Sequence, residues 1–504
     1  MPSKVKTAAL VLLLLVGAQG YVHAEAMERP APAGGVLSLL PSPQSTDHSI
    51  SLAGRMLRYQ AKAGTLSLLA GNGDVTAEVF YVAYTVPLSE APPHEPRRPI
   101  TFVFNGGPGA ASAYLHLGAL GPRIVATAID GGFLAPPQKL IDNPDTWLDM
   151  TDLVFVDPVG TGYSREAPGQ KADSFWGVDK DARAMGAFIR LYLAQVGRTG
   201  SPVFLAGESY GGFRAALLSR TLQEDVGISP SGIVLISPAL EFMLVQPDEF
   251  DPLHWALELP SLAAVRLQSE GVGGSKFRER IAEVEDYALG DYLVALASGL
   301  EQGGRSASQR VAEITGLPID LVQRNFARVS TTLFTSEFAR ARGNVLSPYD
   351  GSIATDGASD SSRIASPDPV LDRSVPVLTS AFVAYVRDEL NFRTDMSYNL
   401  LTGEVSRNWD YGTSASRQGY AGVMSDLQRA RNLNPSLGVL IFHGYTDLVT
   451  PYMASRYLVS QLPSLPEAKP IRVDVVDGGH MMYFRADGRR ALREAASELY
   501  RATQ

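Results

Sequence analysis

Six short apolar runs recur along this chain, at residues 101–104, 153–156, 203–206, 233–236, 439–442 and 471–476, with helix-like segments between them. Strands that read as continuous apolar runs, instead of alternating, are buried on both faces, as in a mostly parallel sheet sandwiched by helices. The pattern therefore predicts an α/β fold. Five of the runs lead into chemically rich loops: NGGPG, DPVGTGYS, GESYGG, HGYTD and DGGH. In open α/β sheets ligands bind beyond the carboxyl ends of the strands. The five loops should therefore meet at one crevice.

The remaining segments are read around that sheet. Residues 55–84 alternate apolar and polar positions about Gly71-Asn72-Gly73-Asp74, an antiparallel hairpin with a strong turn signal. Between 242 and 375 the strand rhythm stops, and the stretch reads as a mainly helical cap inserted into a core formed by residues 55–241 and 376–504. Lys4 and Lys6 precede an apolar run that gives way to Ala24 and Ala26, which predicts a secretory signal peptide over 1–24. That run is shorter than the roughly 20 residues of a membrane span. Residues 25–54 are expected to be a Pro-rich, irregular lead-in. The chain has no cysteine, and an exported protein without disulfides fits a bacterial periplasm or secretion. A formal net charge of −9 argues against a basic nucleic-acid-binding face. No membrane partner after signal removal, no cofactor and no metal is expected, and the oligomeric state is not readable.

The pentapeptide Gly207-Glu208-Ser209-Tyr210-Gly211 lies between an apolar run and a helix-like run. A nucleophile elbow requires this strand–turn–helix context, because small residues let the backbone turn sharply and expose the serine hydroxyl. The plainer alternative is a serine in a tight turn. A hydroxyl needs a base, and the base an orienting acid, in chain order Ser, then Asp or Glu, then His. Three of the seven histidines follow Ser209. His254 sits in the cap beside Trp255, and His443 precedes the acid of its own loop, so His480 is the expected base. Asp447, a few residues beyond the run 439–442, is the expected acid. The glycine-rich loop at 104–112 lacks the Lys-Ser/Thr of a phosphate-binding loop. It is instead expected to supply one oxyanion amide, from Gly107, with Tyr210 supplying the other.

Together, NGGPG, DPVGTGYS, GESYGG, the Asp447 loop and GGHM resemble the serine carboxypeptidases, the family of carboxypeptidase Y and cathepsin A, over about residues 75–500. The resemblance implies an α/β-hydrolase fold and release of single residues from peptide C-termini. It gives Ser209, Asp447 and His480 the triad roles, and assigns Asn105, Gly106 and Glu208 to the substrate's terminal carboxylate. Glu208 beside a nucleophile makes chemical sense if it shares a proton with that carboxylate, since two carboxyl groups in contact do not both ionise cheaply. The sequence departs from the family at Val103, where a tryptophan is usual, and at Ala119, where a second carboxylate-binding glutamate is usual. The acid's loop reads Gly444-Tyr445-Thr446-Asp447, Tyr483 replaces a proline, and the family's disulfides are missing. Alternatives are another hydrolase activity (esterase, acyltransferase or aminopeptidase) and a non-catalytic binding protein on the same scaffold.

Overall fold

The computed structural model describes residues 35–87, 97–246, 250–357, 368–412 and 421–503. The expected signal peptide lies outside them. The main sheet is built from β1 (Gln44–Leu52), β2 (Arg55–Leu69), β3 (Val75–Thr85), β4 (Ile100–Phe104), β5 (Asp152–Val156), β6 (Val203–Glu208), β7 (Gly232–Ile236), β8 (Gly438–Gly444) and β9 (Ile471–Val476). Their spatial order is β1-β2-β3-β5-β4-β6-β7-β8-β9. The first three strands are antiparallel, and β5 through β9 in that order run parallel.

The lead-in expected through residue 54 ends earlier than its composition suggested. Gln44–Leu52 pair with Arg55–Leu69 in register, Leu52 opposite Arg55. The turn between them is only Ala53-Gly54, with φ of 49° and 77°. Two successive left-handed residues make the tight turn whose twist suits a hairpin, yet Ala-Gly lacks the Asn-Gly or Asp-Gly signal that marks such turns in a sequence.

The helices that cover the sheet and build the cap include α1 (Val178–Gln195), α2 (Tyr210–Thr221), α3 (Pro252–Ser269), α4 (Gly274–Tyr287), α5 (Arg305–Thr315), α6 (Leu371–Asp388), α7 (Met424–Leu433), α8 (Tyr452–Ser460) and α9 (Ala486–Thr503). The central strands are buried along their whole length, and their side chains divide between two cores by the period-2 rule. Val103, Val234, Ile236 and Phe442 face one core, closed by α6 and α9. Phe102, Phe104, Leu235 and Ile441 face the other, closed by α1, α2 and α7. A fully buried aliphatic or aromatic side chain contributes about 1.5–3 kcal/mol, so these two faces dominate the fold's stability. A third core joins α3, α4 and α5 above the sheet and takes in Leu448, Tyr452 and Met453, at the start of α8 and just before it. α3 starts where its sequence says it should: Asp251 accepts a bond from the Leu253 N–H at 2.9 Å and Pro252 takes the first turn.

Candidate active site

Ser209 stands between β6 and α2 with φ 57° and ψ −124°, a left-handed conformation rare for a residue with a side chain. The two glycines of the pentapeptide permit it by close approach. A Cβ on Gly207 would lie 1.9 Å from the Gly211 carbonyl oxygen, and one on Gly211 would lie 2.4 Å from that of Phe104. A larger residue at Gly207 would force β6 away from the start of α2, and one at Gly211 would push the elbow away from β4.

Asp447 and His480 meet beside it. The carboxylate Oδ2 of Asp447 lies 2.8 Å from His480 Nδ1. Its Oδ1 accepts from the backbone N–H groups of Val449 and Thr450, both at 2.9 Å, and the Thr450 hydroxyl donates to Oδ2 at 2.7 Å. Burial would raise the Asp447 carboxyl, but the His480 charge and these donors hold it below the usual aspartate value. Burial opposes charge on His480 as well, yet Asp447, and after it Glu208, keep the imidazole above the usual histidine value. The imidazole edge packs on the Tyr349 ring at 5.6 Å, and the His480 N–H donates to the Tyr349 carbonyl at 2.6 Å. Ser237, itself at φ 43°, donates from its hydroxyl to the His480 carbonyl at 2.9 Å.

The loops after β4 and β6 are in contact. A Cβ on Gly106 would lie 2.5 Å from the Tyr210 nitrogen. Among the described residues, neither the Gly107 nor the Tyr210 N–H has a backbone acceptor, the condition an oxyanion donor must meet. Glu208 is buried next to Ser209. Its Oε2 accepts from Asn105 Nδ2 at 2.6 Å and its Oε1 from the Tyr483 hydroxyl at 2.8 Å. Burial pushes the Glu208 carboxyl above the usual glutamate value, and His480, Tyr483 and Asn105 pull against it without reversing it. One pocket is lined by Gly106, Glu208, Ser209, His480, Tyr114 and Tyr349, among others.

Of the eight residues singled out in the sequence, Gly106, Gly107, Glu208, Ser209 and His480 line this pocket, while Asn105, Asp447 and Tyr210 stand behind Glu208, His480 and Gly106. The other two histidines that follow Ser209 lie elsewhere: His254 pairs with Glu258 in the cap, and His443 is buried against the Ser455 hydroxyl, its pKa lowered to about 4 by burial. Asn105 differs in detail from the expectation, because part of its amide is engaged by Glu208 and its Oδ1 accepts from the Leu115 N–H. Sequence reasoning missed Tyr483, Tyr349, Thr450 and Ser237. Tyr483 was visible only as an unexplained departure from the family's proline.

Sheet order, elbow and converging loops define the α/β-hydrolase fold. The prohormone-processing carboxypeptidase Kex1(delta)p of Saccharomyces cerevisiae has the same fold, with a TM-score of 0.53 and 16% identity over 87% of this chain and 91% of that one. Residues 63–229 match the model of the serine carboxypeptidase family. A carboxypeptidase Y homolog from Arthroderma benhamiae is 32% identical over 29% of this chain and 28% of its own length. Serine carboxypeptidase-like 51 of Arabidopsis thaliana is 31% identical over 40% of each. The matches thus span well under half the length of these curated relatives. Among the described residues no helix is long and apolar enough to cross a membrane.

Proposed function

We propose that this protein is an exported serine carboxypeptidase that removes single residues from the C-termini of peptides. Ser209 Oγ attacks the last peptide carbonyl while His480 Nε2 takes its proton. Asp447 fixes the tautomer through Nδ1 and offsets the imidazolium charge. The N–H groups of Gly107 and Tyr210 receive the oxyanion, His480 returns the proton to the leaving amine, and water then resolves the acyl-enzyme by the same route in reverse.

The observation that carries the reading is Glu208. A carboxyl buried beside the nucleophile opposes a developing oxyanion if it is ionised, and an esterase has no use for it. Raised by burial and held on both oxygens, it is suited to carry a proton and donate it to the carboxylate of a bound peptide. The test compares release from a free-acid peptide with release from its C-terminal amide. The free acid should be preferred by at least about tenfold in kcat/KM, the discrimination of roughly 1.4 kcal/mol expected for one lost hydrogen bond. Equal rates would assign the site to a different hydrolase.

A further inference from the structure

The buried phenol of Tyr483 is not explained by the triad, the oxyanion hole or the residues given to the peptide carboxylate. Its ring position is set by packing. It lies against Phe484 with centroids 5.0 Å apart, and a Cβ added to Gly118 would stand 2.9 Å from its Cε2. The ring therefore sits on the turn that holds Ala119, and its hydroxyl reaches Glu208 Oε1 at 2.8 Å. Asn105 holds the other oxygen. A merely space-filling tyrosine would be satisfied by a backbone carbonyl. This one is spent on the carboxyl next to the nucleophile.

We infer that Tyr483 is a positioning residue for Glu208, fixing the carboxyl that meets the substrate's terminal carboxylate. The inference rests on the carboxypeptidase reading. With both oxygens held, rotation of the Glu208 carboxyl plane is restrained. A phenol donor also favours the ionised carboxyl, so Tyr483 limits how far burial raises Glu208. The other groups facing this carboxyl are His480 and Asp447 from the loops after β9 and β8, and the phenols of Tyr114 and Tyr349. Burial pushes both of those phenols up, so neither ionises in the working range. A clamp of one carboxyl and one phenol takes up a single proton with the peptide, where two carboxyls would titrate twice.

The test is the pH dependence of KM for a free-acid peptide. In the wild type KM should climb as Glu208 loses its proton. Tyr483→Phe keeps the packed ring and removes only the donor. It should move that climb to higher pH by about one unit, a tenfold change in the protonation constant. The acid limb of ester hydrolysis, set by His480, should move far less, because Asp447 acts on the imidazole more strongly than Glu208 does. Placing 3-fluorotyrosine at 483, a stronger donor of nearly the same shape, should move the climb the other way, and it serves if the Phe variant does not fold. In a Glu208→Gln background, Tyr483→Phe should leave the flattened profile flat. A KM profile in Tyr483→Phe that coincides with wild type, or an equal shift in the Glu208→Gln background, overturns the role of Tyr483. A wild-type KM that does not change with pH overturns the carboxypeptidase reading itself, and this inference with it.

Discussion

Replacing Arg214 by methionine should destabilise the protein by an amount that grows with pH. Arg214, on α2 one turn past the nucleophile, has a side chain only 1% exposed, and its Nε donates to Asp181 Oδ2 on α1 at 2.6 Å. Its Nη1 donates to the Asn105 carbonyl at 2.8 Å, and the guanidinium lies over the rings of Tyr210 and Phe104. Methionine keeps much of the volume but leaves the Asp181 carboxylate buried without a counter-charge. That carboxyl already sits above the usual aspartate value because burial outweighs Arg214, so without Arg214 it will take up a proton. The unfolded chain releases that proton near pH 3.9. A carboxyl whose folded pKa is raised contributes less as pH climbs from the unfolded value through the folded one, at about 1.4 kcal/mol per unit. The cost therefore rises with pH toward the roughly 3–5 kcal/mol typical of a broken buried pair. Urea unfolding followed by tryptophan fluorescence at pH 5, 6 and 7 measures it, with Arg214→Met/Asp181→Leu as the partner variant. The double variant should recover most of the loss and lose the added pH slope. An equal loss for Arg214→Met at all three pH values, or a double variant no better than the single, refutes this account of the pair.

Ser209→Ala should lower kcat by at least about 10⁴-fold with the fold intact. Ser209→Gly, equally inactive, should melt higher than the alanine variant in calorimetry, because a non-glycine residue at φ 57° stores about 1–3 kcal/mol. Thr450→Val removes the hydroxyl that donates its one proton to Asp447 Oδ2 at 2.7 Å. Steady-state kinetics should give a kcat about tenfold lower, the loss of one hydrogen bond of about 1–1.5 kcal/mol, and an unchanged kcat would remove Thr450 from the alignment of the acid. Because His480 is held above its usual value and works as a base only when neutral, kcat/KM for an ester should fall as pH drops through a point above 6.5. Peptide hydrolysis, which also needs the proton on Glu208, should peak at lower pH than ester hydrolysis, and coincident optima would contradict that dual requirement.

The parts legible in the sequence were those where local chemistry and chain order act together. Continuous apolar runs gave the parallel strands, because both faces of β4 through β8 are covered. Gly207 and Gly211 marked the elbow because a side chain at the first would meet the start of α2 and one at the second would meet β4. Asp447 and His480 followed from chain order together with their places just beyond the runs 439–442 and 471–476. What stayed hidden depends on contacts between distant segments. Tyr483 and Glu208 are 275 residues apart, and nothing near either one announces the bond. Tyr349 lies in the stretch read only as cap, and its carbonyl finds the His480 amide through tertiary folding. β1 was missed for a local reason, since Ala53-Gly54 is a hairpin turn without a hairpin's usual residues.

The segment around Tyr349 has a consequence for exchanging parts between relatives. Asp350 accepts from the Thr446 hydroxyl at 2.7 Å and binds Arg485 at 2.9 Å, while the Gly351 amide donates to the Thr446 carbonyl and the Leu448 amide to that of Pro348. One short piece of the insertion is therefore sewn to the loops of both the acid and the base, and α8 carries the acid's loop straight into the helical core above the sheet. A chimera that borrows another enzyme's insertion inherits new pocket walls and at the same time cuts these seams. Its turnover should fall along with its change in preference, and grafts that keep residues 347–353 and the inner face of α8 from the recipient should retain their rate.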